Sequence, residues 1–182
     1  MIANLTEQLR QRPWVITAYN LICFQACWFL AAIYQHNAVI WMFGLLLIHF
    51  LLSHSKRSDF RLLPIAVLGL FVDQILSIFQ IVQFKTSQLD FSVINNLVPI
   101  WLALLWIALA ISFNHSLAWL NRIKLRYVSL LGLVFGPASY YAGAQFNALT
   151  LSVSELNFLI TYACIWSVLL PLCTLLASRL NK

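Results

Sequence analysis

The sequence predicts an all-α membrane protein with six transmembrane helices in a compact antiparallel bundle. Hydrophobic residues make up 62% of the chain and charged residues only 9%, far below the roughly 25% charged content of soluble domains. Six apolar segments are long enough to cross a bilayer as a helix, which takes about 20 residues. A helix also pairs all its backbone groups internally, which favours it in lipid. Residues 1–182 are therefore predicted to form a single polytopic domain.

The predicted spans are separated by short polar connectors, which favour antiparallel neighbours. The triplet Gln35 to Asn37 divides the first two spans, and a single long element there would reduce the count to five. The external connector at 85–96 is expected to form a short amphipathic element in the membrane interface. The spans are expected over residues 13–34, 38–54, 62–84, 97–118, 128–149 and 157–178.

The basic residues set the orientation of this bundle. With six spans, ten of the eleven Lys and Arg residues fall on one side and only Lys85 falls on the other. Because basic loops stay in the cytoplasm, both termini are predicted to be cytoplasmic. The net charge of +6 is explained by clusters beside anionic headgroups, so membrane lipids are expected partners and nucleic acid is not. The ten residues are Arg10, Arg12, Lys56, Arg57, Arg61, Arg122, Lys124, Arg126, Arg179 and Lys182.

The third predicted span carries Asp73 near its middle, where an ionisable group costs about 2.5 to 3.5 kcal/mol to insert. Ala66, Gly69, Ser77 and Gln80 share its helical face and form a small and polar stripe. The stripe predicts that Asp73 points into the bundle. Two interpretations stay open, a structural hydrogen bond between helices and a direct functional role.

The fifth predicted span combines small residues with Pro137 and Tyr140. Pro137 removes a backbone donor and frees a carbonyl one turn earlier, which creates a local polar spot or kink. At 1.5 Å per residue, Asp73 lies ~16 Å into the membrane and Tyr140 lies at a similar depth. The two are therefore candidate catalytic residues, with Tyr140 donating to the carboxylate. Helix packing is expected at Gly69, Gly132, Ser139 and Gly143, since small residues let helices approach closely.

Several further polar side chains inside the spans are candidates for a pocket around Asp73. Asn20 and His49 lie between that depth and the cytoplasm, which suggests a polar track of the kind used as a proton relay. The cysteines lie inside spans without CxxC spacing, and metal or nucleotide motifs are absent, so neither a metal nor a cofactor is predicted. The expected pocket residues are Ser77, Gln80, Gln25, Asn20, His49, Gly136 and Pro137.

Four segments carry a resemblance that covers the chain from about Asn20 to Leu172. They resemble an uncharacterised bacterial inner-membrane family known as domain of unknown function 2878, and their order matches. The segments are GLFVDQIL (Gly69 to Leu76), PIWLALLWIALAISFNHSLAWL (Pro99 to Leu120), GPASYYAGAQFNAL (Gly136 to Leu149) and WSVLLPL (Trp166 to Leu172).

The resemblance implies a small multi-pass protein of Gram-negative bacteria with no assigned reaction. Its members tend to be encoded near genes for fatty-acid and membrane-lipid modification, which favours a role in lipid modification or handling. One departure is Asn147, where the family pattern leads us to expect glycine. The family-like positions are Asp73, Pro99, Trp101, Trp106, His115, Trp119, Gly136, Pro137, Tyr140 and Gly143.

Three functional classes remain open at this point. Asp73 would act as general acid or base in a lipid-modifying enzyme. In a small proton-coupled transporter or flippase, it would instead alternate between protonation states. A non-catalytic subunit would hold another membrane protein through the glycine face of the fifth span.

Overall fold

The computed structural model describes residues 13–53, 55–86 and 97–181, which form an all-α fold with one small sheet. Arg10, Arg12, His54, Lys182 and nearly all of the interfacial element expected at 85–96 lie outside these residues. Two 3-10 segments span Gln35–Ala38 and Ala118–Arg122. The strands are β1, Val82–Phe84, and β2, Leu149–Leu151. The helices are α1 (Pro13–Tyr34), α2 (Val39–Leu52), α3 (Lys56–Arg61), α4 (Leu63–Ile78), α5 (Ile100–Ser112), α6 (Leu125–Gln145) and α7 (Glu155–Leu180).

The first two helices form an antiparallel hairpin. Gln35 adopts a left-handed backbone conformation with φ of 48° and begins the 3-10 turn that reverses the chain. The hydroxyl of Tyr19 reaches the carbonyl of Leu45 at 3.5 Å, and its ring stacks on His49. The polar triplet that begins at Gln35 therefore separates two helices that fold back on each other, as the sequence predicts.

Helices α4 and α6 end in the same hydrogen-bonded motif. Gln80 and Asn147 follow them with φ of 53° and 59°, and the residue after each donates to a carbonyl five positions back. This is the Schellman arrangement, which satisfies carbonyls that the helix end leaves free. The chain then continues as β1 and β2, which pair antiparallel with Gln83 opposite Thr150. The predictions of helix to residues 84 and 149 are wrong, because these left-handed residues end both helices earlier.

Three segments of the described chain are long and apolar enough to cross a membrane, namely 14–52, 56–78 and 155–180. The first of them contains the α1–α2 hairpin, and the second combines α3 with α4. Helix α5 is apolar but has only 13 residues, because turns and the second 3-10 segment replace the end of the predicted span 97–118. Helix α6 has 21 residues and continues through Pro137.

One end of the bundle gathers most of the described basic residues. Ser58 of α3 donates to Asn181 after α7, and Asn181 donates to Asn114 after α5. These bonds bring three chain segments together, and each carries or adjoins Lys or Arg residues. We call this region the basic end, defined by Lys56, Arg57, Arg61, Arg122, Lys124, Arg126 and Arg179.

Candidate functional site

Asp73 lies on the inner face of α4 and is 1% exposed. Its carboxylate accepts a hydrogen bond from Trp106 Nε1 at 2.6 Å. The hydroxyl of Tyr140 lies 2.7 and 2.9 Å from its two oxygens. The predicted hydrogen bond from Tyr140 to Asp73 is therefore present, and Trp106 is a second donor that sequence reasoning did not assign to the carboxylate.

Two glycines create the space in which these donors are held. A Cβ atom on Gly69 would lie 2.2 Å from the Trp106 ring, and one on Gly136 would lie 2.1 Å from Cγ of Trp166. The two indoles stack with ring centroids 5.6 Å apart and planes 8° from parallel. The stacked pair is thus enclosed between Gly69 of α4 and Gly136 of α6. Gly69 lies about one helical turn before Asp73, and Gly136 lies about one turn before Tyr140. This packing restricts the Trp106 rotamer and aims its N–H at the carboxylate.

The other residues expected at helix contacts differ in how closely they pack. A Cβ atom on Gly132 would lie 2.1 Å from the carbonyl oxygen of Trp166, so α6 and α7 meet backbone to backbone there. Gly143 only makes an ordinary contact, since a Cβ atom would lie 3.6 Å from Leu149. Ser139 accepts a hydrogen bond from Trp28 Nε1 at 2.8 Å, which links α6 to α1.

A cavity of about 380 Å³ lies between α1, α5, α6 and α7. Its volume is within the about 300 to 1,000 Å³ typical of ligand pockets. The polar side chains in its wall include Gln25, Ser139 and Tyr140. Aromatic and apolar side chains form most of the rest, including Phe24, Trp28, Trp101, Trp106, Phe135 and Trp166.

The carboxylate lies behind this wall. Trp106 and Tyr140, which donate to Asp73, both line the cavity, whereas Asp73 itself is closed off from it by their side chains. The prediction of a pocket centred on Asp73 therefore needs a correction, because Tyr140 lines the cavity and Asp73 does not. Asp73 is linked to the cavity wall by its hydrogen bonds with these two side chains.

The remaining predicted pocket residues are distributed over three places. Gly136 and Gln25 line the cavity, next to buried Pro137. Ser77 is buried on the same face of α4 as Asp73. The expectation that Gln80 continues this face is wrong, because Gln80 is exposed and lies beyond the helix in left-handed backbone.

The two members of the expected polar track have other partners. Asn20 accepts hydrogen bonds from the hydroxyl and the amide of Ser116, at 2.6 and 3.3 Å. His49 Nε2 lies 3.3 Å from Asp59 Oδ2. Both side chains therefore bond toward the basic end, whereas the hydrogen bonds of Asp73 go to α5 and α6.

Asp59 is a buried carboxylate that sequence reasoning missed. It has no exposed surface and accepts hydrogen bonds from Ser53 and Asn114 at 2.6 and 2.8 Å. The Nε2 atoms of His49 and His115 approach its two oxygens at 3.3 and 3.0 Å. In the sequence, Asp59 stands among Lys and Arg residues and resembles a loop charge. The signal in the sequence that could have identified this cluster is the pair of histidines, both placed toward the predicted cytoplasmic side.

These features define a helical protein of membrane-spanning character, with an aromatic cavity and two buried carboxylate clusters. The family model described as "Protein of unknown function (DUF2878)" matches residues 17–172. The chain therefore belongs to this family, and the resemblance found in the sequence is confirmed. No curated protein and no solved structure matches the chain.

Proposed function

We propose that the protein binds a membrane lipid in the cavity between α1, α5, α6 and α7, and that it acts in lipid modification or lipid handling. The observation that carries this proposal is the composition of the cavity wall, which is aromatic and aliphatic apart from a few polar side chains. Such a wall suits a hydrocarbon chain, because an apolar ligand removes little polar surface from water there.

The polar side chains of the wall would bind the polar end of the lipid. Gln25, Ser139 and Tyr140 line the cavity and are the polar side chains that would face the polar end of a bound lipid. Asp73 fixes the direction of the Tyr140 hydroxyl through its hydrogen bond. In an enzymatic version of the proposal, Tyr140 is the residue that touches the lipid, and Asp73 is a positioning residue.

We further propose six spans in the bacterial inner membrane, with the basic end and both termini in the cytoplasm. The gathering of the described basic residues at one end supports this orientation, because positive charge is retained on the cytoplasmic side. The α1–α2 hairpin supports two crossings within residues 14–52. Lipid partners follow from the same placement, since the cavity then lies within the hydrocarbon layer.

Photo-crosslinking tests the proposal. The purified chain is placed in vesicles that contain phosphatidylethanolamine with a diazirine group in one acyl chain, and labelled peptides are mapped by mass spectrometry. We expect labels on cavity residues such as Ser139, besides labels on the outer surface. Leu131 lines the cavity, whereas its neighbour Leu130 is 57% exposed on the outer face. Leu131→Trp should therefore remove the cavity labels, and Leu130→Trp should leave them.

Equal cavity labelling in the two variants, with both still folded, would count against lipid binding in the cavity. Comparative lipidomics of a deletion strain complemented with each variant then examines the role in the cell. We expect the lipid profile to be restored by Leu130→Trp and not by Leu131→Trp. An unchanged profile in the deletion strain would exclude lipid modification while leaving the binding result to stand.

A further inference from the structure

The cluster at the basic end brings together three potential metal ligands from three separate elements. His49 comes from the last turn of α2, Asp59 from α3, and His115 from the turn after α5. Their candidate ligand atoms all lie within 4.8 Å of one another. The histidine rings are 5.1 Å apart at 75°, so their edges converge on the carboxylate.

We propose that His49, Asp59 and His115 bind one divalent transition-metal ion. Two imidazole nitrogens and a carboxylate are a donor set used for zinc and for non-haem iron(II). With metal–ligand distances of about 2.1 Å, neighbouring ligand atoms around one ion are roughly 3.0 to 3.4 Å apart. The Nε2 atoms of His115 and His49 lie 3.0 and 3.3 Å from the Asp59 oxygens, so the observed spacing is that of ligands around one ion.

The largest separation in the cluster requires only a small adjustment. Two atoms bound to one ion are about 4.2 Å apart when they lie on opposite sides of it and about 3.4 Å apart in a tetrahedral site, so a pair at the 4.8 Å limit would close by about 0.6 to 1.4 Å. A modest rotation of a histidine side chain supplies this movement. His115 is the most exposed of the three at 10%, compared with 1% and 0% for His49 and Asp59. It therefore lies on the side from which an ion enters.

Two hydrogen-bond donors hold the Asp59 carboxylate in a fixed orientation. Ser53 donates to Oδ2 at 2.6 Å and Asn114 donates to Oδ1 at 2.8 Å. Partners of this kind hold a metal-binding carboxylate in place. A carboxylate offers about four acceptor sites, so lone pairs remain on both oxygens toward the two histidines, and an ion between the three side chains would bind there.

Three protein ligands leave at least one coordination position for water or another molecule. The ion would also join α2, α3 and the turn after α5, whose continuation contributes Leu117 and Leu120 to the cavity wall. The site is separate from the Tyr140 hydroxyl and from Asp73. It does not depend on lipid binding, and it adds a metal to a chain whose sequence predicts none.

Metal binding is tested on the full chain in detergent after removal of any affinity tag. The protein is stripped with a chelator and then titrated with Zn²⁺, and with Co²⁺ as a visible-absorption probe. We expect about one ion per chain, and a raised melting temperature when Zn²⁺ is added back to the stripped wild type. Binding should weaken at least 10-fold in His115→Gln and in Asp59→Asn.

His36→Gln is the matched control, since His36 lies in the turn between α1 and α2 and outside the cluster. This variant should bind Zn²⁺ and Co²⁺ as the wild type does. The proposal is overturned if the stripped wild type takes up neither ion, or if His115→Gln and His36→Gln take up the same amount. Where a cluster variant fails to fold, the wild-type titration still overturns the proposal if neither ion is taken up.

Discussion

Replacing Asp73 with leucine should destabilise the fold strongly, because it leaves two buried donors without a partner. Trp106 Nε1 and the Tyr140 hydroxyl lie 2.6 and 2.7 Å from the same carboxylate oxygen, and Asp73 is 1% exposed. A buried donor left unpaired costs about 1 to 3 kcal/mol. Two such donors give a predicted loss of roughly 2 to 6 kcal/mol in the free energy of unfolding.

Asp73→Asn should cost about half as much, because the amide keeps one acceptor oxygen and turns its NH₂ group toward the other donor, at about 1 to 3 kcal/mol. Tyr140→Phe removes one donor and leaves the carboxylate paired with Trp106. Its cost should be near the about 0.6 kcal/mol average for hydrogen bonds between membrane helices. The order of stability is therefore wild type, Tyr140→Phe, Asp73→Asn and Asp73→Leu.

Unfolding of the purified chain in mixed micelles, followed with increasing SDS, measures these differences. The double variant Asp73→Leu with Tyr140→Phe should cost about 1 to 3 kcal/mol less than Asp73→Leu alone, because only one orphaned donor then remains. Ser77→Ala, one turn along the same buried face, is the control. The reasoning fails if Asp73→Leu costs no more than this control, or if the two single effects simply add.

Two further predictions concern the backbone. Gly136→Ala places a Cβ atom 2.1 Å from Trp166, whose ring is stacked on Trp106, and should cost about 1 to 3 kcal/mol in the same assay. Gly44→Ala has nothing within 4 Å and should be neutral or stabilise the helix by up to about 1 kcal/mol; equal losses in both would contradict the packing argument. Asn147→Gly should be neutral or stabilising, and Asn147→Val should lower stability by about 1 to 2 kcal/mol, because φ of 59° disfavours a branched side chain. A valine variant as stable as the glycine variant would show that this residue is not left-handed.

The structure gives a physical reason for the type of residue found at position 147. From the resemblance seen in the sequence, we expect glycine at this position. The structure places Asn147 at the left-handed position of the Schellman motif that ends α6. Glycine is favoured at such positions, and asparagine is the usual substitute. The departure therefore affects how the helix ends rather than how helices pack.

The sequence by itself determined the helical character and the division of the first apolar region at Gln35, and it made Tyr140 a candidate partner of Asp73. Each of these depends on local signals, namely apolar length, a polar interruption, and depth along a helix at 1.5 Å per residue. Equal depth along two predicted spans favoured this pair, because helices that cross a bilayer run roughly in parallel and residues at equal depth can meet.

Only the tertiary structure decided which faces meet and what lies between them. The enclosure of Trp106 and Trp166 between Gly69 and Gly136 depends on how α4 and α6 rotate about their axes, and helical periodicity does not specify that rotation against a neighbour. The cluster of His49, Asp59 and His115 joins residues 10 and 56 positions apart. No local pattern marks Asp59 as buried, since three segments must pack together before a charge in a basic stretch is removed from water.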